Sequence, residues 1–156
     1  MAPEIAAYFG NKPPLAIGDY SWFFIGKIYD YQLWSAEQVW SWNSRFALRL
    51  VYHIDADVSE IVETSLSEMN SLSALNSLEK NNYGDILKKL LVDVKSGDSI
   101  TALYQPSEYL SFYHNGHLIG KTSNMMFAKR FLDIWFNPKN INGDMRCQLL
   151  KDCQKT

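Results

Sequence analysis

The sequence predicts an α+β domain in which a large antiparallel β-sheet carries a layer of α-helices on one face. Three observations lead there. Residues 46–54 alternate strictly, with Phe46, Leu48, Leu50, Tyr52 and Ile54 on one side and Ala47, Arg49, Val51 and His53 on the other, the period of a strand with one buried face. Asn115-Gly116 separates two strand-like runs, and the pair favours a hairpin because both central residues of a type I′ turn need positive φ. Apolar residues recur at helical spacing after Asp57 and again from Met125 to Trp135. The resulting order of strands, helices, hairpin strands and helices suits an antiparallel sheet backed by helices. With 156 residues, one domain can bury roughly 68–70% of the surface of its unfolded chain without staples.

Taken in order, residues 1–17 read as an N-terminal arm, loose up to Pro14, and residues 18–156 as the single domain. Residues 20–34 read as strand, with Gly26 marking a bend or turn where a missing Cβ lets the chain change direction. Asp57 is an N-cap with Glu60 three residues on, and Val58, Ile61, Val62, Leu66 and Met69 follow as a helical stripe. After the Ser/Asn-rich residues 71–82, too short to divide domains, a second helix runs through Tyr83 to Leu91 with Asn81-Asn82 as a break. Gly97-Asp98 turns the chain into a strand over 99–104 that Pro106 stops, and the hairpin of 109–120 follows. Met125, Ala128, Phe131, Leu132 and Trp135 form a helix stripe ended by Asn137-Pro138, and a last short helix starts near Asp144.

Composition narrows the function classes. A net charge of −2 and a pI of about 5.9 leave no cationic face for phosphates, so nucleic acid is not an expected partner. Eight Phe, nine Tyr and five Trp suit a sheet-rich core or a roomy apolar cavity. Cys147 and Cys153 bracket a helical stretch in which side chains six apart do not face each other, so no disulfide between them is expected. Short apolar runs, with Lys12 and Pro13-Pro14 close behind the start, predict neither a secretory signal nor a membrane span in this sequence.

No signature of common catalysis stands out. G-x-S-x-G, P-loop and G-x-G-x-x-G patterns are missing. His114 and His117 flank the hairpin turn, but zinc wants three or four ligands, so no metal and no cofactor are expected. His53 lies on the minor face of its strand, and the cap role of Asp57 accounts for one half of the Asp55/Asp57 pair. Tyr29, Tyr31, Trp34, Tyr52, Tyr104, Phe131 and Trp135 are either core or the lining of a ligand cavity, since buried aromatics supply apolar area in both cases. Trp40 and Trp42 read as an exposed pair able to form a partner patch.

The segments 27–34, 48–52, 97–100, 112–120 and 127–136 together resemble the bacterial chalcone isomerase-like proteins over about residues 18–151, most specifically in F-Y-H-N-G and F-A-x-x-F-x-D-I-W. The resemblance implies a large antiparallel sheet, a helical layer and a cleft between them. In plant enzymes of this fold an arginine near the first long strand orients the substrate phenolate. This chain has no Arg before Arg45, and the corresponding stretch reads Gly18-Asp19-Tyr20-Ser21-Trp22. The threonine position falls on Tyr29, and a helix hydroxyl falls near Phe127 or Ala128. Lys27 does not replace the planar guanidinium fork.

The resemblance therefore implies a protein leaning away from catalysis that takes a small apolar ligand, such as a fatty acid, in the cleft between sheet and helices. Non-catalytic relatives meet the carboxylate with an arginine and a tyrosine, for which Lys27 or Arg49 with Tyr29 are the counterparts here. The expected ligand-binding set is Lys27, Tyr29, Arg49, Tyr104, Phe131 and Trp135. Alternatives are an isomerase or lyase acting on an α,β-unsaturated carbonyl compound, and a protein-interaction module whose cleft is filled. The family points to the periplasm, with the cytoplasm as the alternative.

Overall fold

In the computed structural model, which describes residues 2–22, 24–138 and 150, six strands pair in chain order and each runs antiparallel to its neighbour. The elements are α1 (Pro3–Phe9), β1 (Ala16–Trp22), β2 (Gly26–Ser35), β3 (Phe46–Tyr52), α2 (Val58–Leu72), α3 (Ser77–Leu90), β4 (Ser99–Gln105), β5 (Tyr109–His114), β6 (His117–Thr122) and α4 (Met125–Phe136). Two helices thus intervene between the adjacent strands β3 and β4.

The two faces of the sheet have different covers. Phe46, Leu48, Leu50 and Tyr52 share the main core with Val62 and Met69 of α2, Leu87 of α3, and Phe127, Phe131 and Trp135 of α4. Ala47 points the other way and packs with Ile5 and Phe9 of α1, Trp34 and Leu103. The alternation legible in β3 is therefore the alternation between two cores.

The antiparallel sheet with helices α2, α3 and α4 layered on its main face is the predicted architecture. One expectation is corrected, because residues 3–9 are not a loose arm but a helix packed on the opposite face. A seven-residue helix is marginal by itself, but α1 buries Ile5 completely and sets the Glu4 carboxylate inside the protein. There Thr101 Oγ1 donates to Glu4 Oε1 at 2.7 Å, and Arg49 Nε lies 4.0 Å from the same oxygen. The arm does not run to residue 17 either, because Ala16 already opens β1.

Local signals explain the other boundaries. Asp57 caps α2 by accepting from Glu60 N at 2.8 Å. At α3, Asn76 and Glu79 form a reciprocal capping box, so the helix begins at Ser77 and runs straight through Asn81-Asn82. The hairpin turn has φ of 49° at Asn115 and 86° at Gly116, and a Cβ on Gly116 would lie 2.8 Å from Pro3 Cγ. Asn124 caps α4 by accepting from Phe127 N at 3.0 Å. The helix expected near Asp144 and the pair Cys147 and Cys153 lie outside the described residues.

Candidate functional site

Between the main face of the sheet and helices α2 and α4 lies a cavity of about 260 Å³. Leu48, Leu50, Ile100, Ala102 and Phe112 form its sheet side, and Phe131, Ile134 and Trp135 of α4 together with Ile61 and Ser65 of α2 close over them. Trp22 and Ile25, at the end of the β1–β2 hairpin, and Glu60 and Thr64 of α2 also line it while remaining exposed. These four mark its open rim.

A β-bulge shapes one wall. Tyr20 pairs with Tyr29, but the next residue, Ser21, pairs with Lys27, so Ile28 is the extra residue in β2. A bulge reverses the alternation. Ile28 and Tyr29, adjacent in sequence, both line the cavity, whereas Lys27 is turned to Asp30 at 3.2 Å and Asp19 at 3.9 Å.

Polar groups in the cavity wall are few. Trp135 Nε1 donates to the Tyr29 hydroxyl at 3.1 Å, from α4 to β2. The Tyr29 ring stacks on Tyr20 at 5.3 Å and meets Tyr52 edge-on at 5.7 Å. Burial and the neighbouring Tyr52 hold the Tyr29 phenol well above its ordinary pKa, and burial pushes Tyr52 up to about 12. Both phenols are neutral hydrogen-bonding groups at physiological pH. The only ionisable groups of other kinds among the described lining residues are the carboxyls of Glu60 and Glu68. Glu68 is half-buried, and desolvation raises its pKa.

Of the six residues expected from the sequence, Tyr29, Phe131 and Trp135 line the cavity. The other three do not. Lys27 is removed by the bulge. Arg49 follows the parity of Ala47 and points to the opposite face, where it donates to Gln32 Oε1 at 3.1 Å and approaches Glu4. Tyr104 shares the sheet's main face but stacks on Phe46 at 4.8 Å, in a separate aromatic cluster with Trp42. Trp34 belongs to the α1 side and donates from Nε1 to Lys12 O. Phe127 and Ala128 are fully buried outside the lining. The sequence marks Glu60 only as the residue three after the Asp57 cap and gives Glu68 no signal, although their eight-residue spacing puts both on the α2 face that carries Ile61 and Ser65.

Two other expectations resolve elsewhere. Trp40 and Trp42 are half-buried, with Trp40 stacked on Phe136 at 4.5 Å and Trp42 edge-on to Phe46 at 5.8 Å, so they do not form an exposed patch. His114 is engaged by Asp98 at 3.0 Å, and His53 by Asp30 at 2.9 Å. Among the described residues no helix is long and apolar enough to cross a membrane.

The family profile described as chalcone isomerase-like matches residues 32–151. The chain belongs to the chalcone isomerase-like family. Among solved structures, a crystal structure of a fatty-acid binding protein from Arabidopsis thaliana shares the fold of this chalcone isomerase-like chain with a TM-score of 0.64 at 11% identity, over 89% of this chain and 86% of that one. No curated protein matches the sequence. In this family member, the region where a catalytic relative is expected to place its arginine contributes Tyr20 and Trp22 to the cavity. The Trp22 indole donates to the Tyr20 hydroxyl.

Proposed function

We propose that this chalcone isomerase-like chain is a binding protein that holds one small apolar ligand, a compound of the acyl-chain lipid class, between the sheet and helices α2 and α4. The observation that carries the reading is the cavity itself: about 260 Å³, walled by aliphatic and aromatic side chains with a few tyrosine hydroxyls. Ligand sites are concave, mostly apolar and furnished with a small number of placed polar groups. The cavity lies just below the usual range of ~300–1,000 Å³, which suits a single chain of modest length. The fatty-acid binding protein of the same fold supports a ligand of this kind. Isomerisation through a phenolate is the weaker reading, because no Arg or Lys among the described lining residues stands ready for an oxyanion.

Native mass spectrometry of the protein purified from its own host tests the binding reading. The expected result is a bound species that organic extraction releases. An apo mass with no shift after incubation with long-chain alcohols, esters and acids overturns it. A hydroxychalcone absorbance assay is expected to proceed at the uncatalysed rate, and turnover that disappears in Tyr29→Phe would argue for the enzyme instead.

A further inference from the structure

Resting on that binding reading, we infer that the cavity selects an uncharged amphiphile, an alcohol, ester or ketone on an apolar chain, and disfavours free carboxylates at neutral pH. A carboxylate leaving water needs a cation or several hydrogen-bond donors, since an ion taken out of water without a partner is strongly disfavoured. None of the described lining residues is Lys, Arg or His. Lys27, Arg49 and Arg130, each next in sequence to a lining residue, are engaged elsewhere by Asp19, Asp30, Gln32, Glu4 and Glu79. The charges that do line the cavity are Glu60 and Glu68, which repel an anion.

The wall instead offers neutral polar groups. Tyr52 is more than nine-tenths buried and lines the cavity, and its phenol, raised by burial, is neutral at physiological pH. A neutral hydroxyl in the wall can pair with the oxygen of an alcohol or ester head without bringing in a charge. An ammonium head is not favoured either. It would meet Glu60 at the exposed rim, where ion pairs contribute little, and at Glu68 a half-buried carboxyl whose charge desolvation already disfavours.

Displacement of the neutral dye Nile red by ligands of one chain length tests the selection. Decanol and methyl decanoate are expected to compete at least about tenfold more tightly than decanoate at neutral pH. Glu60→Gln combined with Glu68→Gln is expected to narrow the gap by tightening decanoate alone. Tyr52→Phe is expected to weaken decanol by about fivefold, the loss of one hydrogen bond. Decanoate or decylammonium binding as tightly as decanol overturns the selection while leaving the binding function standing. Failure of every ligand to displace the dye overturns both.

Discussion

Trp135 on α4 donates its indole hydrogen to the Tyr29 hydroxyl on β2 across 3.1 Å, joining the helical layer to the sheet at the cavity wall. The bond brings together residues 106 positions apart. It satisfies a polar group that would otherwise be buried without a partner.

Trp135→Ala is expected to destabilise by about 2–3 kcal/mol, less than the ~3–5 of a tryptophan packed on all sides, because one flank already faces the cavity. Tyr29→Phe is expected to remove about 1 kcal/mol. Urea melts of both single variants and the double variant should give a coupling of about 0.5–1.5 kcal/mol. Strict additivity would show that the bond does not form in solution.

Gly116→Val combines two faults, a left-handed φ of 86° and a Cβ placed 2.8 Å from Pro3 Cγ. Strain of this kind predicts a loss of about 1–3 kcal/mol in a denaturant melt. Asn115→Gly keeps the turn but removes the side chain that accepts from Ser99 N at 2.8 Å and donates to Asp98 at 3.1 Å, and is expected to cost about 1–2 kcal/mol. A Gly116→Val variant as stable as the wild type would contradict the assigned turn geometry.

Much of the fold was legible because its signals are local. Period two in β3, Asn115-Gly116 in the hairpin and Asp57 at the start of α2 each state a backbone requirement in neighbouring residues. Helix α1 is not legible locally, because its stability comes from Ile5 and Phe9 docking on Trp34, Ala47 and Leu103, far along the chain. The start of α3 is legible in Asn76 and Glu79, and Asn81-Asn82 do not break the helix because the helix propensity of Asn is only modestly unfavourable.

The cavity wall is legible in part. Tyr29, Phe131 and Trp135, which line it, follow from strand and helix periodicity. Arg49 carries a charge of the kind the resemblance implies, but its place between Leu48 and Leu50 puts it on the other face. Lys27 was beyond reach, because a one-residue bulge at Ile28 reverses every side chain before it and leaves no compositional trace.

Glu4 tests the second core. Its carboxylate is almost fully enclosed and held by Thr101, with Arg49 a quarter exposed beside it. Glu4→Ala is expected to cost about 1–3 kcal/mol, below the ~3–5 for breaking a fully buried pair, because solvent screens Arg49. Proteolysis should then cut first in residues 3–15. Unchanged melting and unchanged cleavage sites would show that α1 is not docked through this residue.

Tyr52 makes an alkaline prediction. A phenol whose pKa is raised from 10.0 to about 12 by burial keeps its proton in the folded state where the unfolded state has lost it. The associated stability is fully present below pH 10 and is lost as pH rises through about 12, by about 2–3 kcal/mol. Tyr52→Phe, which has no phenol to ionise, should therefore gain stability relative to the wild type across that interval. A constant difference would place the hydroxyl in water.

The measurement that bears most directly on the account is a Nile red titration of the wild type beside Ala102→Phe, which fills the cavity from the middle of β4. The account predicts saturable one-to-one binding by the wild type. For Ala102→Phe it predicts loss of that binding by at least about tenfold, with a melting temperature that is unchanged or higher because an empty space has been packed. Equal dye binding by the two proteins, with both folded, would contradict a ligand site between the sheet and helices α2 and α4.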